Sequence, residues 1–242
     1  MALILHIETS AKNCSLALSQ DNELLFNKVD TAGSSHSVQL GLFVDEALKV
    51  VEGSGQKLDA VAVSSGPGSY TGLRIGVSLA KGLCYGLNIP LISVPTLDLL
   101  ADVVRRTKIL PSNALICPLV DARRMEVYTA LYDADCAMLH PVSAVIVDET
   151  TFAQDLENQP IWFVGDGAEK CSAIIHSENA NFDGQIVPLA SSMLPLAEKK
   201  YQEQKFEDVA YFEPFYLKDF VATVSKKSLI PAVLVQDKTR QK

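Results

Sequence analysis

The chain has 242 residues, 48% of them hydrophobic and 21% charged, enough to bury a core as one large domain or two small ones. Its formal net charge of −8 argues against nucleic acid as a direct, high-affinity ligand, because phosphate contacts need clustered Lys and Arg, and points any RNA role to a more basic partner. No run of about 18 apolar residues predicts a membrane helix, the first residues lack the basic start and small-residue cleavage site of a secretion signal, and five isolated cysteines (Cys14, Cys84, Cys117, Cys136, Cys171) without CxxC spacing read as reduced core thiols of a cytoplasmic protein.

Leu3 to Ile7 is a compact apolar run, and Cys14 to Leu18 is another after the polar turn Thr9 to Asn13. With Glu23 to Val29 they predict a meander of three strands. His36 to Val51 has the length of a helix, with Ser35 or Ser37 as its N-cap. A buried strand at Leu58 to Ser64 leads into the glycine-rich turn Gly66 to Gly72 and a helix from Gly72 to Gly86. A strand at Pro90 to Val94 and a helix from Thr96 to about Arg106 close the first half. Strands then recur at Leu115 to Val120, Glu126 to Tyr132 and Ser143 to Val147, followed by a helix at Glu149 to Leu156. The strand Ile161 to Val164 breaks at Gly165-Asp166-Gly167, a helix follows to about His176, and Ser191 to Gln202 reads as the last helix. The order βββαβα therefore occurs twice. It predicts an α/β protein of two duplicated RNase H-like lobes, the actin-like or ASKHA architecture, each lobe with a mixed central sheet. The expected lobes are 1–106 and 107–223, followed by a basic tail at 224–242 that is expected to be mobile and that could touch tRNA or a partner.

Actin-like ATPases hold nucleotide between their lobes by two phosphate-binding turns and a glycine-bearing adenosine turn. The corresponding candidates are Glu8, Thr9 and Ser10, then Asp121 with Ala122-Arg123-Arg124, then Gly165 and Gly167 at a helix start. The first turn offers a carboxylate and hydroxyls, but a satisfied polar turn explains it equally well. In the second the acid is present, yet two arginines stand where glycine would let backbone approach phosphate. Gly66 to Gly72 is no P-loop, because it lacks a terminal GK[ST] and Pro67 removes an N–H donor. The four histidines are dispersed without an HxxxH or HExxH pair, and no serine lies in a GxSxG elbow. His6, inside an apolar strand, reads as a satisfied core histidine. No catalytic residue and no metal ligand emerges, and no cofactor is called for beyond weak nucleotide binding in the cleft.

Two helices look unusual for a simple surface. The 72–86 helix carries Gly72, Gly76, Gly82 and Gly86, although each mid-helix glycine costs about 1 kcal/mol relative to alanine. Gly72, Gly76 and Ala80 fall at i, i+4 and i+8, a flat stripe for a closely approaching backbone, either the chain's own sheet or a partner. The 36–51 helix is apolar around more than half its circumference, which implies burial on two sides. Leu40, Phe43, Val44, Ala47, Tyr70, Leu73, Arg74, Gly76, Val77 and Ala80 are therefore the expected interface residues. On this reading Gly76→Leu keeps the fold and abolishes association.

Val63-Ser64-Ser65-Gly66-Pro67-Gly68-Ser69-Tyr70-Thr71-Gly72-Leu73-Arg74-Ile75-Gly76-Val77, followed by Ala80-Lys81-Gly82-Leu83, resembles the signature of the TsaB (YeaZ) family. The segments Ile7 to Ser10, Ser35 to Ser37, Asp121 to Tyr128 and Phe163 to Ala168 agree with it, and the resemblance runs over roughly residues 2–220. It implies a non-catalytic relative of TsaD, the enzyme that puts a threonylcarbamoyl group on the tRNA adenosine beside the anticodon. TsaD carries an HxxxH metal pair in a helix whose counterpart here, Pro95 to Ala101, has no histidine. The resemblance further implies a TsaD-like partner and a TsaE-like ATPase in the complex, a homodimer when alone, tRNA contacted only indirectly, and no membrane. The alternatives are a stand-alone actin-like ATPase or small-molecule kinase using Glu8, Asp121 and Gly165, and a metallopeptidase, for which no ligands are present.

Overall fold

The computed structural model describes residues 2–31 and 35–217; the basic tail at 224–242 lies outside the described residues. Strand β1 (Leu3–Glu8) pairs antiparallel with β2 (Cys14–Gln20), which pairs antiparallel with β3 (Glu23–Asp30). Helix α1 (His36–Ser54) then leads to β4 (Ala60–Gly66), and helix α2 (Tyr70–Leu87) leads to β5 (Leu91–Pro95). Both late strands lie parallel to β1, giving the order β3-β2-β1-β4-β5. β1 and β4 sit inside this sheet and are covered on both faces, so they need continuous apolar character, not alternation. Leu3, Leu5 and Ile7 pack with Leu40, Phe43 and Val77 on one face. Ile4 packs with Ala62 and Ile92 on the other.

The second sheet repeats the plan. It contains β6 (Leu115–Asp121), β7 (Glu126–Asp133), β8 (Met138–Ile146), β9 (Ile161–Val164) and β10 (Ala180–Asp183) in the order β10-β9-β6-β7-β8. From the third strand inward and out again, the sequence of strands is the same as in the first sheet, with the same antiparallel and parallel pairs. The duplicated α/β architecture is thus present. Its edges depart from the sequence expectation. β8 begins five residues before Ser143, at exposed positions Met138, Leu139 and His140, where a solvated edge imposes no apolar alternation. β10 is four polar-leaning residues that no pattern announced. The helix expected at Glu149 to Leu156 is instead α4 (Ala153–Asn158). Asp148 accepts from the Thr150 N–H and from the hydroxyls of Thr150 and Thr151, and this turn consumes the residues before it. Helix α5 (Ala168–Ser172) ends before His176.

The lobes exchange helices. Helix α3 (Thr96–Thr107) follows the first sheet in sequence, yet Leu97, Leu100, Ala101 and Val104 pack with Ile116, Val120, Ala130 and Val164 of the second sheet. The Tyr132 hydroxyl donates to Asp98 Oδ1 at 2.7 Å across the same contact. In return Met193 and Ala197, at the start of and within helix α6 (Leu194–Gln202), cover the Ile4 face of the first sheet. Beyond α6 the chain returns as a strap, residues 205–217. Glu207 N–H bonds the carbonyl of Leu91 at 2.9 Å, masking the β5 edge, and Phe215 N–H bonds that of Ser65 at 2.7 Å. Among the described residues no helix is long and apolar enough to cross a membrane.

Candidate functional site: the two faces of the signature helix

Ser69 caps α2, its Oγ accepting from Gly72 N–H at 3.2 Å. The loop before it lies directly on the β1–β2 turn: Ser69 N–H donates to the Ser10 carbonyl at 2.6 Å. A Cβ at Gly68 would stand 2.3 Å from that same oxygen. At Gly72 it would stand 2.1 Å from the Thr9 carbonyl, and at Gly76 2.3 Å from Thr9 Oγ1. The signature glycines therefore let the helix press on its own hairpin. Leu40, Phe43, Val44, Ala47, Leu73, Gly76, Val77 and Ala80, expected at a partner interface, are buried inside the chain. The correction has a packing cause: Gly72 and Gly76 face Thr9, and Leu40, Phe43, Val44, Ala47, Val77 and Ala80 pack with Leu3, Leu5 and Ile7 of the first sheet. A leucine at Gly76 must displace the buried Thr9 side chain, so Gly76→Leu does not test association. Tyr70 and Arg74 remain at the surface, with Arg74 Nη1 donating to the Tyr70 hydroxyl at 2.9 Å.

The opposite face of α2 is open. A groove of about 600 Å³ runs between α1 and α2, lined by Ser37, Leu40, Gly41, Tyr70, Thr71, Arg74, Ile75, Ser78 and Leu79. Val38 and Leu42 stand exposed on α1 beside it. Gly41, Gly82 and Gly86 have nothing within 4 Å of where a Cβ would be, so no contact in the chain explains them. Periodicity held this information. Once one stripe is assigned to the hairpin, the outward stripe is Thr71, Arg74, Ser78, Gly82 and Tyr85.

The candidate nucleotide turns are spoken for. Glu8, Thr9 and Ser10 are fully buried under the glycine loop. Glu8 Oε1 accepts from Ser10 N–H at 2.6 Å, and burial pushes the Glu8 carboxyl above its ordinary range against the pull of hydrogen bonds from Ser10, Ser64 and Thr9. Its second oxygen, with Thr9 Oγ1 and Ser10 Oγ, has no hydrogen-bond partner. In the other lobe Lys170 pairs with Asp121 and also donates to the carbonyls of Arg124 and Glu126 at 2.9 and 2.6 Å. An acid neutralised in this way is a poor Mg²⁺ ligand. Arg123 and Arg124 take left-handed backbone conformations at φ 70° and 52°. Asp166 Oδ1 accepts from Asp121 N–H at 2.9 Å, and burial raises the Asp166 carboxyl. Gly165, at φ 106°, and Gly167 would bring a Cβ to 2.5 and 3.0 Å from the Leu119 carbonyl. Their absence of side chain thus answers a packing demand.

His6 and four of the five cysteines are quenched by burial. Nε2 of His6 pairs with Ser19 Oγ at 2.7 Å while Nδ1 finds no partner, and desolvation lowers this histidine to about 3. Cys14, Cys84, Cys117 and Cys171 are buried, with Cys117 pushed up to about 12; such thiols are inert nucleophiles. Among the described residues no three His, Cys, Asp or Glu side chains gather as metal ligands.

Two actin-like lobes joined by exchanged helices, with phosphate turns closed by the chain's own groups and an open two-helix groove, define the class. The family model for TsaD, tRNA N6-adenosine threonylcarbamoyltransferase, matches residues 30–226. The tRNA threonylcarbamoyladenosine biosynthesis protein TsaB of Bacillus subtilis is 34% identical over 166 residues, covering 67% of this chain and 70% of its own. TsaB of Escherichia coli is 31% identical over 225 residues, covering 90% and 96%. The solved structure of YeaZ from Pseudomonas aeruginosa shares the fold, with a TM-score of 0.75 at 23% identity over 90% of this chain and 100% of that one. The chain belongs to the TsaB (YeaZ) family, a branch of the wider TsaD family.

Proposed function

We propose that this protein acts in tRNA threonylcarbamoyladenosine biosynthesis as a non-catalytic cytoplasmic subunit that docks a TsaD-like enzyme on its α1–α2 face. The observation that carries the proposal is the open groove. Three helix glycines border or continue it with nothing over them, while the phosphate turns are occupied by Lys170 and the glycine loop. A helix glycine that packs on nothing lowers stability; a partner backbone brought close to it recovers that loss. Val38 and Leu42, exposed on α1, and Ile75 and Leu79, half-buried along the groove on α2, supply apolar area for an interface core. The same face suits a second copy when the enzyme is absent, and a TsaE-like ATPase would join through the enzyme. The net charge of −8 leaves tRNA to the other subunits.

The test is threonylcarbamoylation of tRNA in a reconstituted mixture of TsaD, TsaE, threonylcarbamoyl-AMP supply and ATP, with and without this chain. The expected outcome is dependence on the chain, with no ATP hydrolysis by the chain alone. Full activity without it, or turnover of ATP by it alone, overturns the proposal in favour of a free-standing ATPase.

A further inference from the structure

Helix α2 has different neighbours on its two flanks. α1 and the groove lie on one; the strap lies on the other. Lys81 Nζ donates to the carbonyls of Ala210 and Phe212 at 3.1 and 2.9 Å. Three turns earlier on the helix, the Tyr70 ring meets that of Tyr216 at 4.9 Å between centroids. The strap therefore runs antiparallel to α2, from Lys81 to Tyr70, a helix length of about 16 Å. Lys81 spends two of its three donors on backbone carbonyls more than a hundred residues away in sequence, so its charge serves to position this segment. The outer side of the strap is aromatic: Tyr211 is 84% exposed and Phe215 47%. Tyr70 belongs both to the groove lining and to the stack with Tyr216, which makes groove and strap one continuous surface.

We propose that residues 205–217 form the second wall of the docking face, that Lys81 is the positioning residue of this wall, and that Tyr211 and Phe215 contact the TsaD-like chain docked over α2. This rests on the reading of the α1–α2 face given above. The occupant follows from the fold relation: the TsaD family model matches this chain across residues 30–226, so the enzyme brings a comparable helix pair. Two helix pairs laid together leave the flank of α2 facing the partner, where large rigid aromatics contribute most to affinity.

The experiment measures affinity of the full chain for TsaD by calorimetric titration. Tyr211→Ala and Phe215→Ala are each expected to weaken binding about tenfold, with Tyr211→Ala leaving the melting temperature unchanged. Lys81→Met, which keeps the aliphatic stem, weakens binding and speeds hydrogen exchange of the Glu207 and Phe215 amides; Lys81→Arg restores both. Gly82→Leu on the open face is the reference and abolishes binding. If it does so while Tyr211→Ala and Phe215→Ala bind as wild type, the strap proposal is overturned and the docking face stands. If Gly82→Leu also binds normally, the docking face itself is wrong and the strap proposal falls with it.

Discussion

The inner and outer faces of α2 carry the same residue type for opposite reasons. At Gly72 and Gly76 a Cβ would lie 2.1 and 2.3 Å from Thr9 atoms, whereas at Gly82 and Gly86 it would meet nothing within 4 Å. Each glycine costs the helix about 1 kcal/mol. On the inner face, closer packing of the helix against β1 offsets that cost inside the molecule. On the outer face nothing in the chain does. The lesson is that a small-residue stripe reports a close approach without saying whose backbone approaches; only the neighbours decide.

Substitutions separate the two faces. The largest effect belongs to Gly76→Leu, which should destabilise by about 3 kcal/mol or more through overpacking against Thr9; a denaturant midpoint equal to wild type would mean the inner face is looser than described. Next comes the acid sealed beneath that face. The folded-state pKa of Glu8 lies above its ordinary 4.5, so the unfolded chain loses this proton first. Stability from Glu8 is full below pH 4.5 and declines as pH rises toward the folded-state value, by up to about 1.4 kcal/mol per pH unit. Glu8→Gln should remove that slope in urea titrations across pH 4 to 7, and an unchanged slope would assign it elsewhere. On the outer face Gly82→Ala should stabilise the isolated chain by about 1 kcal/mol while weakening association with TsaD. Loss of stability there would show that the outer glycine has an intramolecular role after all. The smallest effect is expected at Lys170→Met, where a partly exposed pair with Asp121 is worth about 1 kcal/mol or less. If the variant gains ATP binding in an equilibrium titration, Lys170 is what closes the second turn.

Much of the fold was legible because the central strands are buried on both faces and therefore announce themselves as unbroken apolar runs. Leu3 to Ile7, Leu115 to Val120 and Ile161 to Val164 needed no other signal. The edges were not legible, since Met138 to His140 and Ala180 to Asp183 face solvent or pack at one side and carry no strict period. The site was half legible. The unusual composition of α1 and α2 pointed to a second covered surface, but the pattern left the Gly72-Gly76-Ala80 stripe open between the chain's own sheet and a partner, and Gly76 and Ala80 were expected at the partner. What fixes the side is the contact with Thr9, some sixty residues away in sequence, and a single helix pattern cannot contain it. The strap escaped for a similar reason: Lys81 and Phe212 are joined only by the return of the chain after α6.

The exchange of helices between lobes bears on how the molecule comes into being. All five strands of the first sheet have been synthesised by Pro95, yet the face bearing Ile4, Ala62 and Ile92 has only Leu99 of α3 packed with it until Met193 and Ala197 follow. The first half therefore cannot finish its core on the ribosome while the second is being made. Contacts spanning nearly the whole chain close last, so folding should be slow for the molecule's size and nearly all-or-none once the C-terminal residues arrive.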